Sequence, residues 1–339
     1  MDNIAQTWRV ETRTTSSTLF AVASSLVVAL AVVAPFFVTR GTVQNLFFIL
    51  TMLVLAQCWN MLAGFAGLVS VGQQAFVGFG AYAMFALVVL FKLDPLVAIM
   101  LAGLVAVPLA ALTSTFLFRL HGAYFAIGSW VIAEVVRLLL AQWKALGGGT
   151  GTSLPTGVTR DMWGVGIVGH LFGLRPAQAT DVACYWLALA AVRDNDEAAR
   201  SIGVDARWLK TFVYLAAAFL TALAGALIYV QKARISPDAA FSVVDWTAYV
   251  IFIVVIGGIG TIEGPMIGVL VFFLLQTTLA DYGSWYLLVL GLIGIAVMLF
   301  APRGLWGLFT SRTGIQLFPV RRMLRGGPLS ITCKGGQRG

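Results

Sequence analysis

Charge is scarce in this chain. Only 11% of its 339 residues are Asp, Glu, Lys or Arg, against about 25% in an ordinary soluble domain. Hydrophobic residues make up 60%, and the mean hydropathy is +0.92. A water-soluble fold is thereby excluded, and so is disorder over the bulk of the chain. Histidine is nearly missing: His121 and His170 stand alone at loop positions, which leaves neither a Ser/His/Asp triad nor a metal-ligand set. The three cysteines, Cys58, Cys184 and Cys333, are far apart in sequence, so no disulfide framework or thiolate metal site is expected. A phosphate-binding loop is also lacking, because neither GGGTGTS nor GGIGTIEG carries the lysine that reaches the phosphates. The expectation is a chain with no catalytic residue, metal or cofactor of its own, which is not an enzyme and does not bind ATP by itself.

Long apolar runs are what the sequence does have. They occupy 18–38, 45–63, 75–91, 95–118 and 123–143, then 211–231, 247–262, 265–280 and 285–301. At 1.5 Å per residue most give roughly 25 to 36 Å of helix, enough to cross or nearly cross a bilayer. The fold expected is an all-α polytopic membrane protein of about 8–10 transmembrane helices, with Gly-rich broken or re-entrant segments. Acid is missing altogether from residue 303 onward, where Arg303, Arg312, Arg321, Arg322, Arg325, Lys334 and Arg338 carry seven positive charges of a net +8. Together with Arg193, Arg200, Arg207 and Lys210 on an earlier loop, they place that loop and both termini in the cytoplasm and argue against nucleic acid as a partner. The reading divides the chain into a cytoplasmic tail (1–17), a membrane domain (18–301, with a cytoplasmic loop at 193–210) and a basic, disordered cytoplasmic tail (302–339). Parity then requires a sixth crossing at 177–192. Its uncharged part, 182–192, spans only about 16 Å against a hydrocarbon core of about 30 Å.

Polar residues inside the apolar runs are the candidates for function. Asn60, Gly64, Gly67, Ser70, Gly72, Gln73 and Gln74 fall between two runs. An unwound polar stretch is tolerated at membrane depth only where protein buries it or it lines a cavity, so a polar solute could pass there. The bland alternative is that its glycines serve close helix packing. Gly257, Gly258, Gly260 and Gly264, followed by Pro265, read as a tight turn between two later spans. Glu134 and Arg137 lie three residues apart on one helix face, either as part of a path or as a structural ion pair. The stretch RDNDEAARSIGVDARWLK balances four bases against four acids and reads as a short amphipathic helix.

Within that stretch Glu197, Ala198 and Ala199, with Gly203 after three intervening residues, match the E-A-A-x-x-x-G signature of permease subunits of ATP-binding-cassette importers. The likeness extends along the chain. NMLAGFAGLVSVGQQAFVGFGAY, GAYFAIGSWVIAEVVRLL, RDNDEAARSIGV, AFLTALAGALIY and VVIGGIGTIEGPMIG resemble, in order, the blocks of the branched-chain amino acid importer permeases of the LivM type. The resemblance implies a cytoplasmic coupling helix around Glu197–Gly203 and a home in the bacterial inner (plasma) membrane. It also implies a second permease subunit of the LivH type, cytoplasmic ABC ATPase subunits and a periplasmic amino-acid-binding protein. One departure stands out: Ala191-Val192 runs straight into Arg193, about twenty residues shorter than the family's pattern. Three alternatives stay open: import of urea or short-chain amides, because related permeases share these blocks; an assembly-defective paralogue or membrane scaffold, because of the shortened segment; and a proton-driven transporter using Glu134.

Overall fold

The computed structural model describes residues 9–11, 39–154, 205–279, 285–301, 303–313 and 323–325. The expected first span at 18–38, the sixth at 177–192 and the coupling residues Glu197, Ala198, Ala199 and Gly203 lie outside the described residues. Inside them the architecture is helical. Strand β1 (Arg9–Glu11) pairs near the chain's end, and α1 (Arg40–Asn60) then runs on as a π-helical turn, Met61–Phe65. Helix α2 (Gln73–Val89) follows after a seven-residue break, then α3 (Pro95–Leu117) and α4 (Ala123–Ala141). Asp94 starts α3 by accepting the Leu96 N–H at 2.8 Å, with Pro95 in the first turn, where its missing N–H costs nothing.

Two 3₁₀ turns, Lys144–Leu146 and Gly148–Thr150, lead into strand β2 (Thr152–Ser153). The long helix α5 (Ala206–Lys232) runs into strand β3 (Arg234–Ile235), which pairs antiparallel with β2, Thr152 opposite Ile235. The short α6 (Pro237–Ala240) and a second π-helical turn, Val244–Ala248, lead into α7 (Tyr249–Gly257). Then come α8 (Gly264–Leu279), α9 (Trp285–Phe300), α10 (Gly304–Thr313) and β4 (Met323–Arg325), the partner of β1. Among the described residues six helices are long and apolar enough to cross a membrane: Gly41–Phe65, Pro95–Leu117, Ala123–Ala141, Ala206–Lys232, Pro237–Gly257 and Leu287–Arg312, the last counting α9 with α10. Two more, α2 and α8, are apolar but shorter. The protein is a polytopic all-α membrane protein.

Three boundaries differ from the sequence reading. The span expected at 211–231 begins at Ala206, because the Asp205 carboxylate accepts the N–H groups of Arg207 and Trp208 at 3.1 Å and starts the helix inside the charged stretch. The span expected at 247–262 is helical from Pro237 with a short interruption and stops at Gly257. The tail expected to be disordered from 302 contains α10 and β4. Helix α10 is held because Gly304 packs on Gly258: a methyl built on Gly304 would come 2.5 Å from Gly258 N.

Helices α2 and α5 are the centre of the bundle, and α3 packs across both. Their contact is main chain against main chain. A methyl on Gly80 would lie 2.6 Å from Ala222 Cα, and one on Gly225 would lie 2.8 Å from Val77 Cα. Small residues serve this purpose in membranes, where lipid supplies no hydrophobic drive between helices and close packing must supply the attraction. The bundle has two distinct ends. At one, Leu62 and Ala66 cluster with Leu117, Phe125, Ala206 and Leu209. At the other, Leu146, Leu154 and Ile235 bury the β2–β3 pair against the top of α5. Leu154 and Asp205 therefore sit at opposite ends of α5, about 40 Å of helix apart.

Candidate functional site

The break after α1 is fixed by its own composition. Gly67 adopts φ +70°, a left-handed conformation that suits glycine, and the chain from Ala66 to Gly72 folds back along α1. The Trp59 indole N–H donates to Ser70 O at 2.7 Å, and Gln73 Nε2 donates to Leu55 O at 2.8 Å. The second break, 258–263 between α7 and α8, is turned by Gly258 (φ +131°) and Gly260 (φ +78°). Thr261 closes it, its hydroxyl donating to Gly258 O at 2.8 Å and accepting from Gly264 N at 3.1 Å.

These two breaks hold each other. Asn60 is fully buried; its Nδ2 donates to Thr261 O at 2.7 Å and its Oδ1 accepts the Gly260 N–H at 2.8 Å. One turn earlier, Gln57 Nε2 donates to Ile262 O at 2.7 Å. Side-chain amides thus replace the helical partners that the second break lost, as a membrane interior requires. Gly64 is part of the same joint, since any side chain there would press on Asn60 Oδ1 and Gly260.

Two further elements close on the first break. Ser129 of α4 accepts the Val71 N–H on its hydroxyl at 2.9 Å, while Gly72 packs against the Ser129 carbonyl carbon. The Gln74 carboxamide oxygen accepts a short hydrogen bond from the Thr247 hydroxyl, which also accepts the Gln74 N–H at 3.3 Å. Thr247 lies in the second π-helical turn, a local distortion often found at functional sites. Asn60, Gly64, Ser70, Gln73 and Gln74 are therefore brought together in one buried joint with α4 and both π-helical turns around it, while Gly67 turns the chain at an exposed position beside it. Most of its polar atoms are committed to protein partners; the Gln73 Oε1 atom is buried with none.

Glu134 and Arg137 are not part of this joint. They form a forked ion pair, with Nε 2.9 Å and Nη2 2.5 Å from Glu134 Oε1, and Arg137 Nη1 reaches Asp238 Oδ1 of α6 at 2.7 Å. The pair belongs to the strand-capped end and ties the loosely packed α4 to α6. Sequence reasoning did not single out Gln57, Ser129, Asp238, Thr247 or Thr261. Gln57 had a signal, since it lies three residues before Asn60 on the same helix face. The others are single polar residues whose partners are more than fifty residues away in sequence.

Apolar spans interrupted by interlocked, amide-lined breaks fit a membrane permease. The chain belongs to the family described as branched-chain amino acid transport system / permease component, whose family model matches residues 41–161 and 187–301. The matched segments skip 162–186, which takes in most of the shortened run at 177–192. Among curated proteins, the chain is 27% identical over 329 residues to the high-affinity branched-chain amino acid transport system permease protein LivM of Escherichia coli (strain K12), covering 87% of this chain and 76% of that protein. It is 24% identical over 314 residues to the protein of the same name from Salmonella typhimurium (strain LT2), covering 81% and 72%. No solved structure matches the chain.

Proposed function

We propose that the chain is the membrane permease subunit of an ATP-binding-cassette importer that carries branched-chain amino acids across a bacterial inner membrane. ATP is hydrolysed by separate cytoplasmic ATPase subunits, which dock on Glu197, Ala198, Ala199 and Gly203. A second permease subunit of the LivH type and a periplasmic amino-acid-binding protein complete the assembly. In this reading the end holding Asp205 and α10 faces the cytoplasm with both termini, and the strand-capped end faces outward.

The observation that carries the reading is the interlock of the two breaks through Asn60. It gives the membrane core a polar joint whose partners can be exchanged without unravelling a full helix, which is what alternating access of a zwitterion needs. Asn60, Ser70, Gln73 and Gln74 would line the path when the joint opens, with Gln73 Oε1 as the acceptor already free. The names of both relatives favour branched-chain amino acids over urea or amides. The test is uptake of L-leucine by the reconstituted complex. Glu197→Lys should abolish uptake and the ATPase stimulation that accompanies it while the complex still reaches the membrane. Unchanged stimulation and uptake in Glu197→Lys would refute the docking assignment.

A further inference from the structure

At the strand-capped end, α5 closes on a cluster that the amide joint does not use. Tyr229 is fully buried, and its ring meets Trp246 edge-on with centroids 6.2 Å apart. The Trp246 indole N–H donates to Ala239 O at 2.8 Å, which fixes the ring. The Lys232 ammonium lies 4.7 Å from the centroid of the Trp246 ring and 5.2 Å from that of Tyr229. Lys232 is exposed and makes no ion pair among the described residues. The hydroxyls of Tyr229 and of Tyr82, whose ring packs on Phe241 at 6.2 Å, are both buried without a hydrogen-bond partner.

Two aromatic faces attract a cation, and a lysine on a flexible four-carbon stem is an occupant that can leave. Buried polar atoms in native proteins are as a rule satisfied, and the hydroxyl of Tyr229, one of the two rings under this cation, has no partner. We propose that this cluster is a zwitterion-binding site at the outer mouth of the permease. The rings of Tyr229 and Trp246 receive the α-ammonium of an amino acid in the place Lys232 now holds, and the freed Lys232 pairs with its carboxylate. Because the site reads charge at both ends of the solute and not its side chain, it admits amino acids and turns away neutral amides. This inference rests on the reading of the chain as an amino-acid permease, and it names how that solute is first held.

The experiment titrates the assembled complex, in nanodiscs, with L-leucine, with isopentylamine (the ammonium without the carboxylate) and with 4-methylpentanoate (the carboxylate without the ammonium). The signal is Trp246 fluorescence, taken as the difference between the unaltered complex and Trp246→Phe. Leucine should bind most tightly. In Lys232→Met the rings stand vacant, so isopentylamine should bind about tenfold more tightly while leucine loses its advantage over the amine. In uptake, Trp246→Leu should raise the KM for leucine about tenfold, and Trp246→Phe, which keeps a ring, should stay close to the original value. Unchanged amine affinity in Lys232→Met, or a Trp246→Phe complex as impaired as Trp246→Leu, would overturn the site. Leucine uptake by the unaltered complex tests the amino-acid reading separately, so the two fail independently.

Discussion

Gly64 and Gly260 meet backbone to backbone across the two breaks, and a methyl built on Gly64 would come 2.6 Å from Gly260 N. The one side-chain atom among the nearest neighbours, Asn60 Oδ1, is held by its bond to Gly260 N, and the rest is Gly260 backbone. Gly64→Ala should therefore cost about 1–3 kcal/mol, the usual penalty for overpacking, and lower the melting temperature of the purified complex. Gly291→Ala is the control: it lies in α9 with nothing within 4 Å of the added methyl, so stability should hold or rise by about 0.5–1 kcal/mol. Equal melting temperatures for the two variants would show that the breaks do not touch in the membrane.

Asn60 uses both ends of its carboxamide, so its replacements separate by chemistry. Asn60→Leu removes both bonds and leaves Gly260 N and Thr261 O part-buried without partners, each costing up to about 1–3 kcal/mol. Asn60→Asp keeps an acceptor for Gly260 N but points an oxygen at Thr261 O. Both should lose leucine uptake, with Asn60→Leu losing thermal stability as well. Full uptake in Asn60→Leu would show the joint to be dispensable.

Arg137 serves two acids, Glu134 and Asp238, so the three members of the cluster are unequal. Arg137→Gln should be the most damaging change, because it leaves two carboxylates facing each other without a cation. Glu134→Gln keeps the bond to Asp238 and should be milder, and Glu134→Gln combined with Arg137→Gln should recover part of the Arg137→Gln loss. Membrane level and uptake of the single and double variants provide the comparison; strictly additive losses would mean that the groups act independently.

Ser153 on β2 and Ser311 on α10 are exposed at opposite ends of the bundle. In a chain whose Cys333 is replaced, Ser153→Cys should react with an impermeant maleimide from outside intact cells. Ser311→Cys should react only after permeabilisation. Labelling of both from outside would reverse the orientation of α10 and remove the proposed ATPase face from the cytoplasm.

The spans among the described residues were legible in the sequence because composition alone determines which segments prefer lipid. The first break was legible because glycines and amides inside an apolar run have few other uses there. Helix starts were harder. Asp205 looks like one of several acids in a charged stretch until its carboxylate is seen to accept two N–H groups, and α6 lies outside the apolar runs because its four residues include Pro237 and Asp238. The amides of Asn60 and Gln74 were singled out as path residues, yet their partners Thr261 and Thr247 are unremarkable in isolation. A hydrogen bond spanning 173 or 201 positions leaves no local periodicity to detect.

The seam between α2 and α5 limits how this permease can move. With Gly80 and Gly225 set against the opposing main chain, the two helices fit like a key in its slot. Sliding either along its axis would drive a neighbouring Cβ onto backbone that has no room to yield. Packed segments of this kind travel as one body, and displacement collects where the chain can change its winding. The π-helical turns Met61–Phe65 and Val244–Ala248 flank that rigid pair, so bending during a transport stroke is expected at those two turns, with α2 and α5 carried between them unchanged.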